Sequence, residues 1–182
     1  MDYLFKNSVL AAGATPVYYP TKIINRKIDF SNLASYITKK TKMLCLCNPH
    51  NPLGKLYSKE DLEHIISLCE KYGLYIMNDE IWSDIIYGEQ PFVSILSLGR
   101  ERNLRTMSVH GYSKAYGLAG LIIGYIYCQD KELFEKIVER SAVMTTAGGI
   151  TKENKSKSEK SSLIFPGAFL FYAGNINPMT RR

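Results

Sequence analysis

Residues 107–125 read MSVHGYSKAYGLAGLIIGY, a short apolar strand pattern that runs into a glycine-punctuated turn carrying one lysine, Lys114, before the apolar pattern resumes at Ile122. A lysine between Ser113 and Ala115 at the end of an apolar strand has two readings. Held in a cleft, it loses solvent, its ammonium is disfavoured and its pKa falls, which suits an amine that forms a Schiff base. On an open turn it is an ordinary solvated lysine, as most lysines are. The remainder of the chain has to decide between them.

Working outward, the same strand-then-turn pattern recurs upstream. Met43 to Cys47 is a continuous apolar run, the pattern of a strand covered on both faces, and it ends in NPHNPLG, residues 48–54. Residues 74–77 repeat the pattern and end in NDEIWSD, residues 78–84. Between these strands Ser58 opens a helix as N-cap, with Asp61 three residues on; Leu62, Ile65, Ile66 and Leu68 or Cys69 form its inner face, and Gly73 stops it. After the lysine stretch, residues 122–128 read as another strand. Asp130 then caps a helix running to about Met144, with Leu133, Phe134, Ile137 and Val138 as its apolar stripe. Nearer the start, residues 4–12 read as a helix stopped at Gly13, residues 15–19 as a strand closed by Pro20, and residues 29–40 as a helix buried through Leu33, Tyr36 and Ile37.

Strands alternating with helices imply an α/β fold, a three-layer αβα sandwich with a mostly parallel sheet in which one strand runs against the rest. Ligands of such sheets bind beyond the carboxyl ends of the strands. Three strand ends carry conspicuous polar residues: Asn51, Asp79 and Lys114. On neighbouring strands these would converge, and an amide, a carboxylate and an amine at one lip match the needs of pyridoxal phosphate. The lysine binds the cofactor's aldehyde carbon, the carboxylate pairs with the pyridine nitrogen, and the amide bonds the phenolic oxygen. Taken singly, Asn51 before Pro52 is a turn former and Asp79 with Glu80 a capping pair.

The ordered motifs NPHNPLG, NDEIWSDIIYG and SKAYGLAGLIIGY resemble the class I and II aminotransferases, which share the aspartate aminotransferase fold of pyridoxal 5′-phosphate enzymes, fold type I. The DEIW segment is similar to the branch of cystathionine β-lyase-like C–S lyases related to MalY and PatB. The resemblance implies that Lys114 forms the internal aldimine and is the catalytic base, that Asp79 holds the pyridine nitrogen and that Asn51 contacts the ring oxygen. Trp82 takes the place where many relatives have a tyrosine bonding that oxygen, and Ser113 offers a hydroxyl to the phosphate. Ile122 and Gly111 stand where many relatives have a phosphate-clamping arginine and serine. His110 and Tyr112 read as packing or rim residues. The implied function is a transformation of small or sulfur amino acids, by transamination or C–S β-elimination; the alternative is a truncated, catalytically inactive fragment. Full-length relatives are expected to be homodimers.

Composition is compatible with these expectations and narrows the rivals. The chain has 182 residues and a net charge of +6, but the densest basic run, residues 152–160, is interleaved with Glu153 and Glu159, so nucleic acid is not the expected partner. Cys45, Cys47, Cys69 and Cys128 lack metal-ligand spacing and read as buried free thiols of a reducing compartment, the cytoplasm; no metal is expected. The N-terminal residues do not form a secretory signal, and the apolar residues 163–173 are too short to span a membrane. Composition shifts after Gly149, dividing the chain into a partial cofactor-binding large domain, residues 1–149, and a polar linker with a divergent tail, residues 150–182.

Overall fold

A computed structural model describes residues 3–98, 105–121, 124–142, 161–163 and 169–173. Helix α1 (Tyr3–Ala11) is followed by a two-stranded hairpin, β1 (Ile23–Ile24) and β2 (Lys27–Ile28), and then by β3 (Met43–Cys47), α2 (Lys59–Tyr72), β4 (Tyr75–Asp79), the short α3 (Ile95–Leu98) and β5 (Thr106–Gly111). Strand β6 (Gly124–Cys128), helix α4 (Lys131–Ala142) and strands β7 (Ser161–Leu163) and β8 (Phe169–Ala173) complete the order.

The main sheet runs β3-β4-β5-β6-β8-β7. Strands β3, β4 and β5 are mutually parallel, with Cys47 opposite Asp79 and Asp79 opposite Val109. β6 runs antiparallel to β5, pairing Gly111 with Gly124, and β8 is parallel to β6. Ser161–Leu163 and Phe169–Ala173, inside the segment read as linker and tail, thus extend this sheet; residues 150–160 lie outside the described residues, as does the helix end expected at Met144.

Successive side chains on a strand face opposite ways, and the register sorts them into two layers. Leu44, Leu46, Ile76 and Tyr127 meet Leu62, Ile65, Ile66 and Cys69 of α2 together with Ile95 and Leu96 of α3. Met77, Met107, Ile126 and Cys128 meet Leu133, Phe134, Ile137 and Val138 of α4 on the other face. Helices on both faces of one sheet make the three-layer αβα sandwich. Leu62, Ile65 and Ile66 have no exposure, and full burial of each such side chain stabilises by about 1.5–3 kcal/mol.

Helix α2 is bounded as its sequence dictates. Ser58 Oγ accepts from Asp61 N and Asp61 Oδ2 accepts from Ser58 N, closing a reciprocal cap. Gly73 ends it at φ 65°, where a side chain would be strained. At α4, Asp130 Oδ1 accepts from Leu133 N at 2.7 Å.

Two expectations fail upstream. Residues 15–19 form no strand: Tyr19 instead packs its ring against Phe30 and Tyr36 and donates to the Asp29 carbonyl at 2.8 Å. Tyr19 alone docks, while Val17 and Tyr18 are exposed. Residues 29–40 yield only a 3-10 turn, Leu33–Tyr36. Asp29 Oδ1 takes the amide of Ser31, and Thr41 Oγ1 takes that of Thr38; such local side-chain bonds compete with helical ones, and Ile37 leaves the turn extended.

Candidate active site

The parallel order β3-β4-β5 brings three carboxyl-terminal loops to one edge, and each loop is built by its own residues. After β3, Asn48 is fully buried; its Oδ1 accepts from Tyr57 N at 3.1 Å and its Nδ2 donates to the Val93 carbonyl at 3.3 Å. His50 N donates to Lys55 O and Gly54 N to His50 O, folding residues 50–55 into a tight loop with Asn51 exposed in it. After β4, Asp79 is half-buried and its Oδ1 accepts from Ile81 N at 3.0 Å, turning the chain toward Trp82. After β5, Tyr112 O accepts from Tyr116 N and Leu118 N, closing the turn that holds Ser113 and Lys114.

Lys114 and Trp82 meet: the ammonium nitrogen lies 5.1 Å from the indole ring centroid, a cation–π contact. Asn51 and Trp82 line one cavity of about 540 Å³, with His50, Pro52, Ile85 and Tyr87 also in its wall. Asp79, Ser113 and Lys114 are not part of that wall; they are joined to it through the sheet edge and the Lys114–Trp82 contact. The cleft expected around the lysine is open: Lys114 is exposed, because its turn projects past the end of β5. Ile122 lies outside the described residues, and Gly111 is the last residue of β5, paired with Gly124.

His50 is 7 % exposed and its Nδ1 has no hydrogen-bond partner among the described residues. Burial pushes its imidazole below the ordinary 6.5, which favours the neutral ring. Among the described residues no three His, Cys, Asp or Glu side chains are grouped to hold a metal ion, and no helix is long and apolar enough to cross a membrane.

One group has a different place from the capping pair that its sequence neighbourhood suggests. Glu80, next to Asp79, faces the opposite layer and is fully buried. Its oxygens receive Asn78 Nδ2 at 2.7 Å, Ser94 Oγ at 3.0 and 2.9 Å, and the Ile95 amide at 3.1 Å, while His110 Nε2 lies 3.0 Å from Oε2. The signal was there in the strand period: neighbours on β4 must split between faces, so Asp79 at the lip sends Glu80 into the α2 layer.

Residues 3–152 match the model of the family described as aminotransferase class I and II. The chain is 33 % identical over 133 residues to the aspartate aminotransferase of Pyrococcus abyssi, covering 72 % of this chain and 34 % of that protein. Among solved structures, the aromatic aminotransferase of Pyrococcus horikoshii superposes with a TM-score of 0.71 at 28 % identity, over 78 % of this chain and 38 % of that one. Cystalysin from Treponema denticola, which contains a pyridoxal 5′-phosphate cofactor, superposes with a TM-score of 0.73 at 23 % identity, over 81 % of this chain and 38 % of that one, a likeness of fold. The chain spans about a third of the length of the relatives it matches.

Proposed function

The chain belongs to the class I and II aminotransferase family, and from that premise we propose that it carries the cofactor-holding core of an enzyme that transfers the amino group of an amino acid. The family's cofactor is pyridoxal 5′-phosphate. In this reading Lys114 is the residue that attaches the cofactor and moves the proton, and Asn51, Asp79, Trp82 and Ser113 hold it.

The donor set suits that group. An amine is available for its aldehyde carbon, a carboxylate for its pyridine nitrogen, an amide for its phenolic oxygen and the Ser113 hydroxyl for its phosphate. His50 Nδ1, buried beside Asn51 without a hydrogen-bond partner among the described residues, is a further polar atom at the cavity wall. When bound, the cofactor supplies an electron sink for negative charge at the substrate's α-carbon. Lys114 Nζ takes the α-proton and returns it. Asp79 keeps a proton on the pyridine nitrogen, Asn51 orients the ring by donating from its amide, and Trp82 shields one side of the amine from water.

The observation that carries the reading is the register of β3, β4 and β5, with Cys47, Asp79 and Val109 side by side, so that the loops bearing Asn51, Asp79 and Lys114 leave one edge. Transamination stands first because the relatives of 32–35 % identity include aspartate and alanine aminotransferases. β-Elimination from a sulfur amino acid is the second reading, favoured by the DEIW segment, residues 79–82. A homodimer belongs to the proposal; Leu53, Tyr87, Tyr116 and Leu118, on the loops around the site, are exposed apolar side chains that a second subunit would cover.

The test is to add pyridoxal phosphate to the purified chain and record the visible absorption of lysine-bound cofactor, with Lys114→Ala as control. A band in the unsubstituted chain alone supports the assignment; no band speaks for a fragment without cofactor. Amino-group transfer to a keto acid and pyruvate release from cystathionine, assayed separately, distinguish the two chemistries.

A further inference from the structure

Glu80 is a carboxylate taken wholly out of water. A buried charge persists only when paired and hydrogen-bonded. Asn78, Ser94 and Ile95 all donate to it, and His110 Nε2 completes the set at 3.0 Å. These partners come from β4, from the start of α3 and from β5, so one carboxylate joins three segments behind the lip of the sheet.

The His110 ring is held as firmly as its nitrogen. It stacks on Tyr125 with centroids 5.1 Å apart and planes 4° from parallel, and meets Tyr127 edge-on at 5.4 Å. Tyr125 in turn contacts Tyr112 at 5.5 Å, and Tyr112 meets Tyr116 at 5.6 Å. Tyr112 O is also the carbonyl that closes the turn around Lys114. A continuous set of contacts thus runs from Glu80 through His110, Tyr125 and Tyr112 to the lysine turn. Trp82, the surface over which Lys114 stands, lies two residues beyond Glu80 on the other strand end.

We propose that His110 is a positioning residue for Lys114: its bond to Glu80 sets the end of β5, and with it the place of the Lys114 ammonium over Trp82. The functional meaning rests on Lys114 being the cofactor lysine, whereas the positioning itself is readable without cofactor. Removing the bond leaves every cofactor-contacting residue intact and displaces one of them.

Trp82 is the only tryptophan, so its fluorescence reports the cation above it. Lys114→Met defines the emission of a ring without the ammonium. His110→Phe keeps an aromatic ring for Tyr125 and loses the donor; its emission is expected to move to that of Lys114→Met, with unchanged far-ultraviolet circular dichroism. His110→Gln restores a nitrogen donor and is expected to restore the native emission. With pyridoxal phosphate added, His110→Phe is expected to bind about tenfold more weakly, the scale set by outer partners that orient metal-ligating groups, and His110→Gln near normally. Native emission in folded His110→Phe, or equal displacement in the Phe and Gln variants, overturns the proposal. Should His110→Phe not fold, His110→Asn, whose shorter amide falls short of Glu80, replaces it, and equal spectra for Asn and Gln overturn the proposal in the same way. If the emission pattern holds while no variant binds cofactor, the positioning stands and the cofactor role of Lys114 falls.

Discussion

The Lys114 ammonium stands 5.1 Å from the centre of the Trp82 ring, joining the turn after β5 to the turn after β4. Thirty-two residues apart in sequence, the two meet because β4 and β5 are parallel neighbours whose carboxyl ends share an edge. An amine over an indole face is held by the ring's quadrupole, which fixes its place at the shared edge without burying it.

Asp79 is expected to matter for proton removal more than for attachment. In Asp79→Ala the visible band of lysine-bound cofactor should persist, since the amine is intact. On the proposed role of Asp79 as partner of the pyridine nitrogen, exchange of an amino acid's α-hydrogen with deuterated water, followed by NMR, should slow by about 100-fold or more. Near-normal exchange would make the aspartate structural.

Glu80→Ala should be among the most destabilising single changes in the chain. It strands donors from Asn78, Ser94, Ile95 and His110, and leaving a buried donor without its acceptor costs about 1–3 kcal/mol for each group. Urea unfolding would show a midpoint far below that of the unsubstituted chain. A cost under about 1 kcal/mol, the usual range of an exposed pair, would contradict the burial.

The two ends of α2 predict separate, smaller effects. Ser58→Ala removes the side-chain acceptor of Asp61 N and should cost about 1 kcal/mol. Gly73→Ala forces a side chain onto φ 65°, at a cost of about 1–2 kcal/mol. Among the described residues nothing beyond its neighbours in the chain lies within 4 Å of the added carbon, so the cost is one of backbone conformation and Gly73→Asn should recover part of it. Thermal or urea denaturation of the three variants checks this.

Burial pushes the Cys69 thiol up to about 12 and the Cys128 thiol up to about 11, from an ordinary 9.0. The folded chain therefore keeps both protons in a range where the unfolded chain releases them. Stability contributed by these thiols is complete below pH 9 and declines as pH rises from there toward 11 and 12. Urea midpoints should fall between pH 8 and pH 10, with a shallower fall in a Cys69→Ala, Cys128→Ala double variant. An equal slope in both chains would refute the assignment.

Much of this arrangement is local and could be read from residues alone. The run Met43–Cys47 is a strand because five apolar residues end at a proline-rich turn; α2 begins and ends at its cap and its glycine; the stripe of α4 has helical spacing. Asn51, Asp79, Trp82 and Lys114 stand out because each follows an apolar run. Where several local bonds competed, as in residues 29–40, the pattern misled, and the β-branched and aromatic residues of 15–19 have no neighbouring strand to pair with.

By itself, then, the sequence determined the kinds of element, their order and the polar residues at three strand ends, all of which depend on interactions within a few positions of the chain. The tertiary structure alone decided that those ends are neighbours, that Glu80 and His110 bond behind them, that Lys114 lies exposed over Trp82, and that Phe169–Ala173 joins β6. These depend on which strands pair, a choice made by burying apolar faces against α2 and α4 across long separations, and no period within a segment encodes it.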